Sequence, residues 1–283
     1  MIVARTRADL AKALAALHPP GRRLALVPTM GYLHEGHLTL VDLARERADA
    51  VIATIFVNPL QFGPGEDLES YPRDPHRDLV KLEMRGANLV FMPAVDEVYG
   101  RGDPVVTVDP GPMGERLCGA FRPGHFRGVL TVVAKLFGLM RPELAVFGRK
   151  DFQQMVLIER MVCDLELGVQ IVPGPTVREA DGLAMSSRNA RLGSEERAAA
   201  PALARGLQDA AARFRSGERS AAALLEPLEA ALSSSPLLRL QYAEVVQPAS
   251  LDPVDPVPEG AVLAAAAFCG ETRLIDNVAL NPS

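Results

Sequence analysis

The chain has 283 residues, of which 48% are hydrophobic and 23% are charged, so it can bury a substantial core and does not have the composition of a disordered protein. Its 23 glycines and 23 prolines follow no period, which excludes a collagen-like protein or a low-complexity linker. The formal net charge of −5, from 30 basic and 35 acidic side chains, excludes a general attraction to polyanions, and we expect no nucleic-acid partner.

In the first 175 residues, short apolar runs alternate with segments of helical period, a pattern typical of β-α-β units around a parallel sheet. The predicted strands are Leu24–Pro28, Val51–Val57, Ala87–Met92, Glu143–Phe147 and Val169–Val172. The predicted helices are Glu35–Ala48, Pro75–Arg85, Phe126–Leu139 and Asp151–Leu165. In the last helix, apolar residues at steps of three or four predict one buried stripe, formed by Met155, Ile158, Met161, Val162 and Leu165. We predict an α/β fold whose first domain, 1–175, is Rossmann-like.

The segment Pro173-Gly174-Pro175 is expected to break regular structure, and we place the domain boundary there. Beyond it, Ala-rich charged segments predict exposed helices over Ser194–Ser216 and Ser220–Leu232, and Leu240–Val246 and Val262–Phe268 predict strands. The second domain, 176–283, is therefore predicted to be smaller and of the α+β class.

The cysteines and the apolar runs indicate a compartment. Cys118, Cys163 and Cys269 lie far apart, which disfavours a disulfide scaffold or a structural zinc site and suits a reducing interior. The amino-terminal stretch has charges within every short apolar run, unlike a signal peptide. The longest apolar run, Ala261–Cys269, is nine residues long and too short to cross a bilayer. We expect a cytoplasmic protein with no membrane partner.

The turn after the first predicted strand carries His34 and His37 together with Gly31 and Gly36. Ligands bind at the carboxyl ends of strands in open α/β sheets, and a helix amino terminus attracts phosphate. Histidines three residues apart can face one phosphate, and the glycines would let the backbone approach an anion. The motifs of zinc metalloproteases, P-loop kinases and the usual dinucleotide-binding proteins are absent from the sequence.

The His-x-Gly-His pattern resembles the nucleotidylyltransferase superfamily, in which the histidines stabilise charge on a nucleoside triphosphate. More closely, the stretch PTMGYLHEGH resembles the signature of the pantothenate synthetase (pantoate–β-alanine ligase) family. Four further segments agree with that family, in order: IFVNPLQF, RPGHFRGV, FGRKDFQQ and DGLAMSSRN. The resemblance implies that ATP, with Mg²⁺, drives condensation of pantoate with β-alanine to pantothenate through a pantoyl adenylate, in a homodimer.

The same resemblance implies roles for individual residues, while the protein ligands of the metal stay open. The implied catalytic residues are His37 as proton donor, His34, Lys150, Ser187 and Arg188. The implied nucleotide-binding residues are Met30, Gly31, His34, His37, Gly148, Arg149, Lys150, Asp151, Val177, Met185, Ser186, Ser187 and Arg188. The implied residues for pantoate and β-alanine are Asn58, Gln61, Gln154, Arg122 and His125, of which the last two are candidates for either the β-alanine carboxylate or pyrophosphate. Asp151 could contact ribose or Mg²⁺, or begin a helix.

These roles require that the histidines, Lys150 and the segment 186–188 surround one triphosphate. Because water would hydrolyse the adenylate, we expect the small domain to act as a lid, hinged at Pro173–Pro175. Tyr32 stands where the family commonly has alanine, which places an aromatic ring beside the phosphate loop.

Three other functions stay open at this point. A different nucleotidyltransferase of the superfamily would share His34 and His37 but would not need Gln61 and Gln154. A catalytically silent nucleotide-binding regulator would tolerate the loss of His37. An aminoacyl-tRNA synthetase shares the motif, but the sequence shows neither an anticodon-binding appendage nor a basic stretch to hold tRNA.

Overall fold

The computed structural model describes residues 1–17 and 19–282, which form two compact units. The first unit comprises Met1–Gly114, Arg122–Arg149 and Leu157–Pro175, and the second comprises Glu115–Phe121, Lys150–Val156 and Thr176–Ser283. One division falls after Pro175, whereas two segments expected in the first domain, 115–121 and 150–156, belong to the second unit. Buried Gln153 joins these two segments, since its Oε1 accepts from the N–H of Cys118 at 3.0 Å and its Nε2 donates to the carbonyl of Arg116 at 2.8 Å.

The first unit contains a six-stranded sheet in which all paired strands run parallel. The strands are β1 (Ile2–Ala4), β2 (Leu24–Val27), β3 (Ala50–Thr54), β4 (Leu89–Phe91), β5 (Leu144–Gly148) and β6 (Gln170–Gly174), in the order β1-β4-β3-β2-β5-β6. The interior strands are buried apolar runs, as parallel strands covered by helices must be. The predicted Rossmann-like sheet is confirmed. Its chain order reverses between β2 and β5, and the carboxyl ends of these neighbours form the switch point where such sheets bind ligands.

The chain between these strands forms helices and short 3₁₀ turns. The helices are α1 (Arg7–Leu17), α2 (Glu35–Arg45), α3 (Pro75–Met84), α4 (Val95–Tyr99), α5 (Cys118–Phe121), α6 (His125–Met140) and α7 (Phe152–Asp164). The 3₁₀ turns are Pro59–Gln61, Gly111–Glu115 and Arg149–Asp151. Across residues 1–17 and 19–282, none of the helices combines the length and the apolar character needed to span a membrane.

The structure differs from the sequence-based prediction for this region in three ways. Sequence reasoning missed β1 and α1. Pro173 was expected to break regular structure, but β6 continues through it to Gly174. A proline is tolerated there because β6 is an edge strand, where one N–H side of the strand has no partner strand to bond. The buried stripe of α7 does not reach Leu165, which is 53% exposed, because the helix ends one residue earlier.

The second unit contains an antiparallel sheet of β7 (Leu238–Val246), β8 (Ala261–Cys269) and β9 (Thr272–Leu280), in that order. Its helices include α8 (Ser194–Ala199), α9 (Pro201–Arg215) and α10 (Ala221–Leu232). The predicted smaller α+β unit is confirmed, but the helix expected over Ser194–Ser216 is two helices, because Pro201 lacks an N–H group and starts a new one. Sequence reasoning missed β9.

Candidate functional site

The histidine turn, Met30–His37, connects the carboxyl end of β2 to the first turn of α2. The ring centroids of His34 and His37 lie 4.0 Å apart, with 39° between the ring planes. The backbone N–H of His34 donates to Nδ1 of His37 at 3.3 Å. Because this ring nitrogen accepts a hydrogen bond, the neutral ring carries its proton on Nε2. His37 is therefore in the tautomer that can donate a proton or hydrogen bond from Nε2 to an oxygen.

The backbone N–H groups that precede His34 are used within the protein. The N–H of Gly31 donates to Oγ1 of Thr29 at 3.1 Å. Those of Tyr32 and Leu33 each donate at 2.7 Å to the carboxylate of Asp78. Gly31, with a φ of 84°, lies next to these two residues, and its expected role of letting the backbone approach a bound anion stays a prediction. The N–H groups of Gly31, Tyr32 and Leu33 are therefore already bonded within the protein.

The amide pair, Asn58 and Gln61, flanks the 3₁₀ turn that follows β3. Nδ2 of Asn58 donates at 3.1 Å both to Oε1 of Gln61 and to the carbonyl of Gly128 in α6. Oδ1 of Asn58 accepts from the hydroxyl of Tyr99 at 2.7 Å. Nε2 of Gln61 lies 3.2 Å from Sδ of Met30, so the amide pair contacts the histidine turn. Sequence reasoning missed Tyr99, because its partner is far along the chain.

Arg122 and His125 also contact the 3₁₀ turn Pro59–Gln61. Nδ1 of His125 donates to the carbonyl of Gln61 at 2.7 Å, and Nη2 of Arg122 donates to the same oxygen at 3.3 Å. Nη1 of Arg122 lies 2.9 Å from Nε2 of His125, which accepts because the guanidinium can only donate. Glu66, which sequence reasoning missed, binds Arg122 through both carboxylate oxygens. Burial acts to raise the pKa of Glu66, but the hydrogen bonds and charge of Arg122 outweigh it and lower this pKa.

In the second unit, Lys150 and Asp151 form the 3₁₀ turn that leads into α7. Asp151 lies in this turn and precedes the helix. Its Oδ1 lies 3.8 Å from Nζ of Lys150, so the carboxylate pairs with the ammonium. The carbonyl of Lys150 accepts from Nδ2 of Asn277 in β9 at 3.0 Å. Gln154 is half-buried in the first turn of α7. Gly148 and Arg149, in the first unit, lie at the end of β5.

A hairpin brings Val177 and Met185 together, since the N–H of Met185 donates to the carbonyl of Val177 at 2.9 Å. Ser186 then caps the next 3₁₀ turn, which contains Ser187 and Arg188, by accepting from the N–H of Arg188 at 3.3 Å. Arg178 ties this hairpin to β9 through two hydrogen bonds, of 2.6 and 3.0 Å, to the carboxylate of Asp276. Sequence reasoning missed this pair, which lies 98 residues apart in the chain.

The predicted site residues thus form two sets, each assembled within its own unit. The first set holds Met30, Gly31, His34, His37, Asn58, Gln61, Arg122, His125, Gly148 and Arg149, and the second holds Lys150, Asp151, Gln154, Val177, Met185, Ser186, Ser187 and Arg188. That both sets bind one triphosphate stays a prediction. In the part of the chain that the structure describes, no group of three or more His, Cys, Asp or Glu side chains could hold a metal ion.

Comparison with known proteins decides the family. The sequence pattern of pantoate-beta-alanine ligase matches residues 2–279. The chain belongs to the pantoate–β-alanine ligase family. A pantothenate synthetase of Thermoanaerobacter sp. (strain X514) is 49% identical to it over 278 residues, which are 98% of each chain.

Solved structures agree with this membership. A pantothenate synthetase from Thermus thermophilus matches with a TM-score of 0.94 and 46% identity over all of both chains. A pantoate-beta-alanine ligase from Francisella tularensis, in complex with beta-gamma ATP and β-alanine, matches with a TM-score of 0.78 and 29% identity over 99% of this chain and 98% of that one. The resemblance of the sequence motifs to the pantoate–β-alanine ligase family is therefore confirmed, and the chain is a ligase of pantothenate biosynthesis.

Proposed function

We propose that this enzyme condenses (R)-pantoate with β-alanine at the expense of ATP, through a bound pantoyl adenylate, and releases AMP and pyrophosphate. The observation that carries the proposal is the contact of 3.2 Å between Sδ of Met30 and Nε2 of Gln61. This contact supports the proposal because it joins the turn that carries His34 and His37, our proposed donors for phosphate charge, to Gln61, our proposed amide ligand for a polar organic acid. The beta-gamma ATP and β-alanine bound by the Francisella tularensis enzyme support the same substrates.

Adenylation is needed because a carboxylate is a poor electrophile. In the first half-reaction, an oxygen of the pantoate carboxylate bonds to the α-phosphorus of ATP, the bond from that phosphorus to the bridging oxygen breaks, and pyrophosphate leaves with the electron pair. Negative charge builds on the phosphoryl and pyrophosphate oxygens. His37, protonated on Nε2, donates to one of these oxygens, and the adjacent ring of His34 acts on the same charge.

We assign the other donors for this charge to the second unit. Lys150 and Arg188 supply positive charge and Ser187 supplies a hydroxyl, while Val177 and Met185, paired in the hairpin, contact the adenosine. Mg²⁺ would neutralise phosphate charge. Asp151, which lies 3.8 Å from Nζ of Lys150, is the carboxylate that would hold Mg²⁺ together with the phosphates of ATP.

The amide side chains of Asn58, Gln61 and Gln154 suit pantoate, since they can bind its hydroxyls and carboxylate without competing for the phosphorus. In the second half-reaction, the neutral amine of β-alanine bonds to the acyl carbon, AMP leaves with the electron pair, and the amine loses a proton. Arg122 and His125 both bond the carbonyl of Gln61, so we propose that they aid substrate binding by holding this turn. Their direct contact with β-alanine stays a prediction.

The family resemblance also supports a homodimer, which sedimentation equilibrium would test. The free cysteines Cys118, Cys163 and Cys269 suit a reducing cytoplasm. The lid role of 176–283 stays a prediction, and a distance between labels on the two units that does not change when the adenylate is trapped would contradict it.

The proposed function is tested by pyrophosphate exchange. Purified enzyme with ATP, Mg²⁺ and pantoate should exchange labelled pyrophosphate into ATP, and should form pantothenate only after β-alanine is added. Exchange that needs a phosphate ester instead of pantoate would favour another transferase of the superfamily. Absence of exchange, with ATP still bound, would favour a silent regulator.

The catalytic assignments are tested by His37→Ala and Lys150→Ala. Each variant should lower the exchange rate about 10²- to 10³-fold, the usual effect of losing one donor to developing oxyanion charge. The matched controls are His76→Ala and Lys12→Ala, which change exposed residues of the same types and should keep full activity. If both His37→Ala and Lys150→Ala stay within about threefold of the wild type, the assigned roles are wrong.

A further inference from the structure

The histidine turn has a backbone anchor on a different helix. Asp78 lies in α3, and the whole residue is only 1% exposed. Oδ2 accepts from the N–H of Tyr32 and Oδ1 from the N–H of Leu33, both at 2.7 Å. Both oxygens of this buried carboxylate are therefore directed at the two residues that immediately precede His34.

The same helix also binds the carbonyl side of the turn. Lys81, one helical turn after Asp78, donates from Nζ to the carbonyl of Leu33. Both backbone polar groups of Leu33 are thus held by side chains of α3. Since His34 follows directly, α3 holds the backbone from which the His34 side chain extends.

The backbone conformation of the turn depends on this anchor. Gly31 and Tyr32 have φ values of 84° and 51°, and the second is unfavourable for a residue with a side chain. In this conformation the N–H groups of Tyr32 and Leu33 are both directed at the carboxylate of Asp78. A Cβ on Gly31 would lie 2.9 Å from Oδ2 of Asp78, so the turn and the carboxylate are packed in contact.

We propose that Asp78 is a positioning residue for the adenylation step, which holds the histidine turn so that His34 and His37 meet the α-phosphate. The inference rests on the proposed function, because it assumes that these histidines act on ATP. Asp78 itself would not touch substrate, since its two oxygens are directed at backbone N–H groups.

Burial makes the negative charge of Asp78 less favourable in the folded protein. Burial raises its pKa, an effect larger than the opposing influence of the two N–H groups and Lys81, and Asp74 adds to the increase. A raised pKa means that the ionised carboxylate is disfavoured in the folded protein. A neutral side chain of the same shape removes this penalty and one of the two hydrogen bonds together.

The test uses Asp78→Asn, which keeps the shape but replaces one acceptor with an NH₂ donor that faces a backbone N–H. We expect the turnover number for pyrophosphate exchange, per folded enzyme, to fall about 10- to 100-fold, since shifts of about 1 Å in catalytic groups have such effects. The control is Leu82→Ala, a fully buried apolar change in the same helix, which should lower the unfolding midpoint but leave the turnover number unchanged.

A double-mutant cycle separates positioning from a purely structural role. If Asp78 acts through the histidines, Asp78→Asn should lower exchange by a smaller factor in the His37→Ala background than in the wild type, because the contribution of His37 is already lost. Effects that multiply independently would overturn the proposal, as would Asp78→Asn with wild-type turnover. In either case, a large loss in His37→Ala alone would leave the proposed function standing.

A second variant covers the case in which Asp78→Asn does not fold. Lys81→Met keeps Asp78 and removes the bond to the carbonyl of Leu33, together with the ammonium charge near Asp78. It should reduce the exchange turnover in the same direction and show the same non-additivity with His37→Ala. Full turnover in Lys81→Met, together with an unfolded Asp78→Asn, would assign Asp78 a structural role and overturn the proposal.

Discussion

Gly128 lets α6 pack directly against the turn that carries the amide pair. A Cβ at this position would lie 2.2 Å from the carbonyl oxygen of Leu60 and 2.6 Å from the N of Gln61. Ordinary Cβ contacts begin near 3.4 Å, so Gly128→Ala must move the turn or the helix by about 1 Å. Because both close atoms belong to the backbone, no side-chain rotation relieves the clash.

A displacement of this size should affect pantoate binding before it affects nucleotide binding. Misplacing a substrate-positioning group by about 1 Å can cost about 10²-fold in rate, so we expect kcat/KM for pantoate to fall about 10²-fold in Gly128→Ala. KM for ATP should change by less than about threefold, because the histidine turn is anchored separately by Asp78. Overpacking should also lower the free energy of unfolding by about 1–3 kcal/mol.

The assay is pyrophosphate exchange at varied pantoate concentration, together with urea unfolding. Gly138→Ala is the control, since Gly138 lies in the same helix, is exposed and has nothing within 4 Å of an added Cβ. It should leave exchange unchanged and raise the free energy of unfolding by about 0.5–1 kcal/mol. A folded Gly128→Ala enzyme with the wild-type kcat/KM for pantoate would refute the reasoning, and so would an equal loss in Gly138→Ala.

Two further predictions concern ion pairs. Glu66→Gln should lower the free energy of unfolding above pH 4.5, the ordinary pKa of the carboxyl. The difference from the wild type should vanish as the pH falls through the lowered pKa of Glu66 in the folded protein. A difference that does not depend on pH in urea unfolding would contradict the pairing with Arg122. Asp276→Asn should lower the free energy of unfolding by about 2 kcal/mol, because Arg178 loses its buried partner, and should raise KM for ATP more than KM for pantoate. The exposed Asp209→Asn serves as its control, and an equal rise in both KM values would separate the hairpin from nucleotide binding.

Local patterns were informative where a segment forms a continuous apolar run or an apolar stripe of helical period. The strands β2 to β6 were predicted because their apolar runs are bounded by turn residues, although their ends differ by up to three residues. The helix α7 was predicted from its period. By contrast, β1 has only three residues, two of them exposed, and β9 has blocks of two polar and two or three apolar residues that neither alternate nor form one long apolar run, so neither has a clear pattern.

The site was predicted unevenly for the same reason. The residues of the motifs were identified because catalysis needs particular side chains at particular spacings. The residues that hold them were not identified: Glu66 binds Arg122 from 56 positions away, and Asp78 binds Tyr32 from 46 positions away. A buried carboxylate in a helix has no sequence pattern that distinguishes it from an exposed one.

The amino-acid sequence by itself determined the alternation of strands and helices, the adjacency of His34 and His37 on one helical turn, and the family to which the chain belongs. Those properties depend on residue type and short-range spacing, which a linear sequence contains. Only the tertiary structure decided that the N–H groups before His34 are bound by Asp78, and that 115–121 and 150–156 join the second unit. Such assignments depend on which distant groups can satisfy buried hydrogen bonds, and that is settled when the chain packs.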